Sequence, residues 1–276
     1  AGNALLIFVF RMGVAGAALS TLFSRIVAAI FITAMLLKPE LTIHLGRSLS
    51  LRPDGPMVKR ILQVGVPSGL ENSMFQLGKI MVLSLVASFG TSAIAANAVS
   101  NTISSFQVLA AGAVNLGLIP VISRCVGAHD FEQARFYTRK LLAVAYAATL
   151  VTNLIVFLIL PFILKAYQLT PETASLSRRI TTWYAVAAML TWPLSFTLPN
   201  TLRAAGDAVY TMSVSVISMW LCRILLSYVL GRALHMGVFG TWVAMTIDWQ
   251  VRILFFVLRY RGHRWEAHHR SASRQS

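Results

Sequence analysis

Acid is what this chain is short of: nine aspartates and glutamates stand against 24 lysines and arginines in 276 residues, a net charge of +15. Charged residues of both signs make up 12% of the chain, about half the share a soluble domain carries. So few carboxylates leave no paired acids for general acid–base work, and no HExxH, nucleotide loop or nucleophile elbow is present. No enzyme is expected. Cysteine is scarce too: Cys125 and Cys222 have neither metal nor redox spacing, so both read as free thiols and a disulfide framework is excluded. The positive charge follows no nucleic-acid motif and forms no single stripe, which argues against nucleic acid as a partner. No cleavable signal peptide is visible, and the chain runs from Ala1 straight into apolar sequence, as expected of a start that is not the natural one.

What is abundant is apolar sequence, 57% of residues, with a mean hydropathy of +0.69. The chain reads as an all-α, polytopic membrane protein with membrane lipid as its surroundings. Apolar runs at 14–37, 64–89, 94–122, 141–164, 180–202, 209–230 and 238–258 are long enough to span, and 4–10 reads as the end of another span. Between them, 41–58 is broken by Gly46, Pro53, Gly55 and Pro56, and 123–140 reads as a hydrophilic loop with a short surface helix. Thr170-Pro171-Glu172 reads as a helix start. Lysine and arginine in the short loops set the orientation. Lys38, Arg124, Arg203 and the five tail arginines fall on one side; Lys165, Arg178, Arg179 and Arg232 fall on the other. The richer side, with the linker and the tail, is expected to be cytoplasmic, and the membrane to be the cell (inner or plasma) membrane.

Within 64–89 sits Glu71, followed by Asn72, Ser73, Gln76 and Lys79 and preceded by Pro67 and Gly69. An ionisable group at that depth costs at least ~2.5–3.5 kcal/mol on insertion scales, so it is expected to face a protein interior or a wet cavity. A carboxylate there can exchange H⁺ or Na⁺, and either event changes the local charge by one unit. The alternative is a structural pair with Lys79 or a helix-end amide. Asn97 and Asn101 share a helix face continued by Ser104 and Ser105; they line a substrate cavity with Gln76 opposite, or simply bond between helices. Asp248 and Arg252, four residues apart, read as a structural ion pair. Pro193 and Pro199 are expected to bend the span at 180–202, Trp183 and Tyr184 to anchor at the interface, and Trp192 to be free to stack on an aromatic cation. His263, His268 and His269 in the basic tail suit an anionic lipid better than a metal, and no metal site is expected.

A faint repeat is visible: Gly13-Val14-Ala15-Gly16 opens one span and Gly237-Val238-Phe239-Gly240 another, each followed by an apolar run and an arginine (Arg25, Arg252). Parallel repeats with a site between them are a known transporter plan. Each unit would then end with such a helix, joined by the broken linker.

Val66-Pro67-Ser68-Gly69-Leu70-Glu71 resembles the opening of the seventh helix of the multidrug and toxic compound extrusion (MATE) transporters. Ile94-Ala95-Ala96-Asn97-Ala98-Val99 is similar to their eighth. Arg124-Cys125-Val126-Gly127-Ala128 resembles the loop that follows, Leu202-Arg203-Ala204-Ala205-Gly206-Asp207 the turn after the tenth, and Ile247-Asp248-Trp249-Gln250-Val251-Arg252 the twelfth. The resemblance implies the C-terminal six-helix lobe of a two-lobe transporter (61–258), preceded by the end of the N-terminal lobe (1–37) and a cytoplasmic linker (38–60), and followed by a basic tail (259–276). The rest of the N-terminal lobe would be its partner. It also implies a cation-coupled antiporter, H⁺ or Na⁺, that exports small, often cationic organic compounds and needs no cofactor. Glu71 and Asp207 would be the coupling acids, though Asp207 also stands where a cap for a helix starting near Ala208 is needed. A related lipid-linked oligosaccharide flippase and a non-transporting membrane scaffold or remnant are the alternatives.

Overall fold

The computed structural model describes Leu6, residues 12–37, 54–262 and Trp265, and among these residues every regular element is helical. The expected stub at 4–10 (Leu6 apart), most of the linker, and His263, His268 and His269 lie outside the described residues. The chain divides into two compact units, 1–58 and 59–276.

The first unit holds α1 (Gly13–Leu36), largely apolar, with Phe23 and Phe31 both about two-thirds exposed. Its start has a specific geometry. Gly13 adopts φ +52°, Met12 N–H donates to the Leu6 carbonyl at 3.1 Å, and a side chain on Gly16 would meet that carbonyl. The same arrangement recurs in the second unit: Gly237 has φ +60°, Met236 N–H donates to the Leu230 carbonyl at 3.1 Å, and Gly240 abuts Leu230. Two short sequence matches thus share a backbone device: a left-handed glycine opens the helix and a second glycine lets the preceding segment close on it.

The second unit is a helical bundle entered through α2 (Gly55–Ala87), whose first four residues belong to the first unit and which begins inside the stretch expected to be linker. A tight turn at Gly90 (φ +98°) leads to α3 (Thr91–Gln107) and α4 (Leu109–Gly127). The single span expected at 94–122 is therefore two helices, broken at Val108. Just before the break, Ser104 and Ser105 both donate to the Asn101 carbonyl at 2.9 Å, and Asn101 and Thr102 bond back one turn. Such side chains compete for helical carbonyls and bend the axis. The hydrophilic loop expected at 123–140 shrinks to a three-residue turn through His129 (φ +57°). α5 (Phe131–Ala166) follows at once, capped by Asp130, whose carboxylate accepts from Gln133 N–H at 2.9 Å. Its 36 residues reach about 54 Å, well beyond a ~30 Å hydrocarbon core.

α6 (Pro171–Trp192) starts at the Thr170 cap with Pro171 in the first turn. Pro193 cannot donate to the preceding turn, and the helix widens through a π turn at Pro193–Thr197 before α7 (Leu198–Ala204). α8 (Ala208–Ser218) continues through wide turns Met219–Leu225 and Val229–Ala233 into the Gly237 turn and α9 (Gly237–Arg261). α4 packs on α5 and α7, α3 on α6, and α9 lies against α6 and the wide turns after α8. Tyr184, expected at the interface, is instead in the core, edge-on to Trp242 and Trp249 at 5.5 and 5.4 Å. Trp192 is buried and stacks on Phe196, so it is not free to face a ligand.

Among the described residues five helical runs are long and apolar enough to cross a membrane, α1, α4, α5, 208–233 and α9; the spans expected at 64–89 and 180–202 are not among them. Leu116 and Phe162, each about three-quarters exposed, belong to the apolar exterior such a bundle turns toward lipid. The protein is membrane-embedded.

Candidate functional site

Glu71 is 7% exposed on the inner side of α2, and it is not paired with Lys79. Both its oxygens accept from Nη2 of Arg203, at 2.6 and 2.7 Å. Arg203 ends α7, and its other nitrogens are used as well: Nη1 donates to Asn200 Oδ1 at 3.2 Å and Nε to Thr211 Oγ1 at 3.3 Å. Of the two surroundings expected, the acid faces a protein interior, and its counter-charge is the Arg203 guanidinium. α2 meets the bundle at two further places below this pair. Phe75 lies 4.6 Å from the Arg252 guanidinium, and at Gly78 the absence of a side chain lets Met219 and Ile224 close on the helix.

Asp207 occupies the cap position of α8, yet its carboxylate makes no cap bond. It accepts from Arg259 Nε of α9 at 2.7 Å, and Arg259 also lies over the Tyr210 ring. Arg203, the partner of Glu71, and Asp207 share Thr211, whose hydroxyl accepts from Arg203 and whose N–H donates to the Asp207 carbonyl. No bond joins the two acids among the described residues.

Asp248 and Arg252 lie 2.9 Å apart, both nearly inaccessible. Ser218 donates to Asp248 at 2.5 Å and accepts from Arg252, which also donates to the Ser215 carbonyl. This closed network ties α8 to α9.

Asn97 and Asn101 do line a common polar pocket, of about 260 Å³, with Lys79, Arg223, Thr241 and Trp242. Gln76 is exposed and does not border it. Trp242 Nε1 donates to Asn97 Oδ1 at 3.1 Å, while the Asn101 amide donates to the Asn97 carbonyl at 2.9 Å. No acid borders the pocket. Lys79 of α2 and Arg223 of the wide turn after α8 are 144 residues apart in sequence, and the fold brings both to one space. Among the described residues no group of histidine, cysteine and acid could hold a metal.

The MatE family model matches residues 67–229, from Pro67 of α2 to the first residue of the second wide turn after α8. An uncharacterized transporter of Bacillus subtilis, YisQ, is 28% identical over 96% of this chain and 59% of its own length. A probable multidrug resistance protein of Thermotoga maritima, NorM, is 24% identical over 93% of this chain and 54% of its own. A multidrug resistance MATE family transporter of the MOP superfamily, solved in an outward-facing conformation, superposes with a TM-score of 0.80 at 17% identity, over 99% of this chain and 60% of that one. The chain spans less than two-thirds of the length of each. With the family model covering more than half of it, the chain belongs to the MatE family of multidrug and toxic compound extrusion transporters.

Proposed function

We propose that this chain forms the C-terminal lobe, with the last helix of the N-terminal lobe, of an antiporter that exports small organic compounds in exchange for H⁺ or Na⁺, with its linker and tail cytoplasmic. The observation that carries the coupling is the Glu71–Arg203 pair, a buried acid of α2 held by an arginine of α7. H⁺ or Na⁺ arriving at Glu71 competes with the guanidinium. Arg203 keeps Asn200 and Thr211 as partners and, being about a quarter exposed, can turn outward. Loading the acid therefore removes an ion pair between α2 and α7 and adds one positive charge, which biases one arrangement of the lobe over another. Asp207, four residues after Arg203 and paired with Arg259, is the second coupling acid of this reading.

Ethidium efflux from vesicles tests this, using the longest in-frame product that contains the chain, wild type against Glu71→Gln, under separate proton and sodium gradients. Loss of gradient-driven efflux in the variant is expected. Unchanged efflux removes Glu71 from the mechanism. One observation favours a second reading, the lipid-linked oligosaccharide flippase: the pocket beside α2 carries two cationic side chains and no acid.

A further inference from the structure

From the pocket shared by Lys79, Asn97, Asn101, Arg223 and Trp242, we infer that the site binds the phosphate group of a small organic phosphate, free or as a lipid headgroup. The inference rests on the transporter reading above and names the ligand class of the same lobe. Its basis is the excess of positive charge in the pocket lining, two cationic side chains and no acid. Among the described residues Lys79 makes no hydrogen bond or ion pair, and the one side-chain hydrogen bond of Arg223 goes to the Met245 sulfur at 3.1 Å, a weak acceptor. Asp248 of α9 lies near enough to act on Arg223 through its charge, but its hydrogen bonds go to Arg252 and Ser218 and it does not border the pocket. Lys79 is exposed and Arg223 half-buried, and in a membrane-embedded chain cationic side chains at such places are costly unless something supplies the opposite charge.

The donors around the pocket suit a phosphate better than a carboxylate. Two positive charges with no acid match the roughly −1.5 to −2 that a phosphate monoester carries near neutral pH, and a guanidinium binds phosphate oxygens through paired N–H groups. Because Asn97 Oδ1 is occupied by Trp242, its amide NH₂ remains as a third donor. Asn101 spends its NH₂ on a backbone carbonyl and presents an oxygen, which suits a hydroxyl next to the phosphate. The volume, about 260 Å³, fits a headgroup-sized moiety and lies below the range of about 300–1,000 Å³ usual for drug-sized ligands. Arg223 projects from the wide turn Met219–Leu225, and such turns in helices recur at functional sites.

The test is calorimetric titration of the full chain in detergent with glycerol 3-phosphate, and with glycerol as the uncharged control. A second arm uses native mass spectrometry of protein released from nanodiscs of phosphatidic acid mixed with phosphatidylcholine. Wild type is expected to bind glycerol 3-phosphate but not glycerol, or to retain phosphatidic acid over phosphatidylcholine; the first result assigns a free solute and the second a lipid headgroup. Lys79→Gln, an exposed position with no partner to lose, is expected to weaken either by tenfold or more, as is Arg223→Gln where it folds. Binding unaltered in Lys79→Gln, or no binding in either arm, overturns the inference. Glu71→Gln is expected to bind phosphate as wild type does. A failure of cation coupling in the efflux assay is therefore separable from a failure here.

Discussion

Replacing Glu71 and Arg203 by glutamine, singly and together, measures what the pair contributes. Glu71 loses its charge in the first variant, but the new amide oxygen still accepts one bond from Arg203, which keeps Asn200, Thr211 and access to the surface. Replacing a charge-assisted pair of bonds by one neutral bond costs about 1–2 kcal/mol here. Arg203→Gln is worse, because it strands a carboxylate whose side chain is only 10% exposed. Removing one partner of a buried pair costs about 3–5 kcal/mol, and the partial exposure of Arg203 sets the low end, about 3 kcal/mol. In the double variant nothing is stranded, so its cost should not exceed that of Arg203→Gln alone, a coupling of about 1–2 kcal/mol. At roughly 2–4 °C per kcal/mol for a chain of this size, thermal unfolding in detergent should fall by about 4 °C for Glu71→Gln and about 9 °C for Arg203→Gln, with no further fall for the double variant. If the double variant shows the sum of the single losses, within about 0.5 kcal/mol, the two residues do not act as a pair and the coupling scheme loses its basis.

Asp248→Asn leaves the Arg252 guanidinium, 2% exposed, without its counter-charge, and should lower stability by about 3–5 kcal/mol; an unchanged melting temperature would contradict the closed network. Gly240→Ala would place a methyl group 2.8 Å from backbone atoms of Leu230 and Gly231, so α9 must shift, at about 1–3 kcal/mol; wild-type stability in a melt would show that the two segments can part freely. Asn97→Leu removes the acceptor of the buried Trp242 indole and should cost about 1–2 kcal/mol, with a shift in tryptophan emission; a silent emission spectrum would mean that the indole finds another partner.

Composition and the positions of the apolar runs were sufficient to read an all-α membrane protein, because a backbone in hydrocarbon must satisfy its own hydrogen bonds and leaves long unbroken apolar stretches as its trace. The capped start at Thr170-Pro171 and the i,i+4 spacing of Asp248 and Arg252 were equally legible, being local chemistry. The break at Val108 was not, since no proline or glycine marks it and its cause is a set of serine and asparagine side chains bonding backward. Nor was the length of α5, whose polar first turns read as a loop.

The candidate site divides in the same way. That Glu71 had to be sheltered followed from its depth in an apolar run, and hydropathy alone shows it. That its partner is Arg203 rather than Lys79, that Asp207 turns from its own helix to Arg259, and that Lys79 and Arg223 share a pocket without an acid depend on which helix faces meet. Charge type and burial are properties of a segment, whereas the choice of counter-ion is a distance between segments remote in sequence, and only packing decides it.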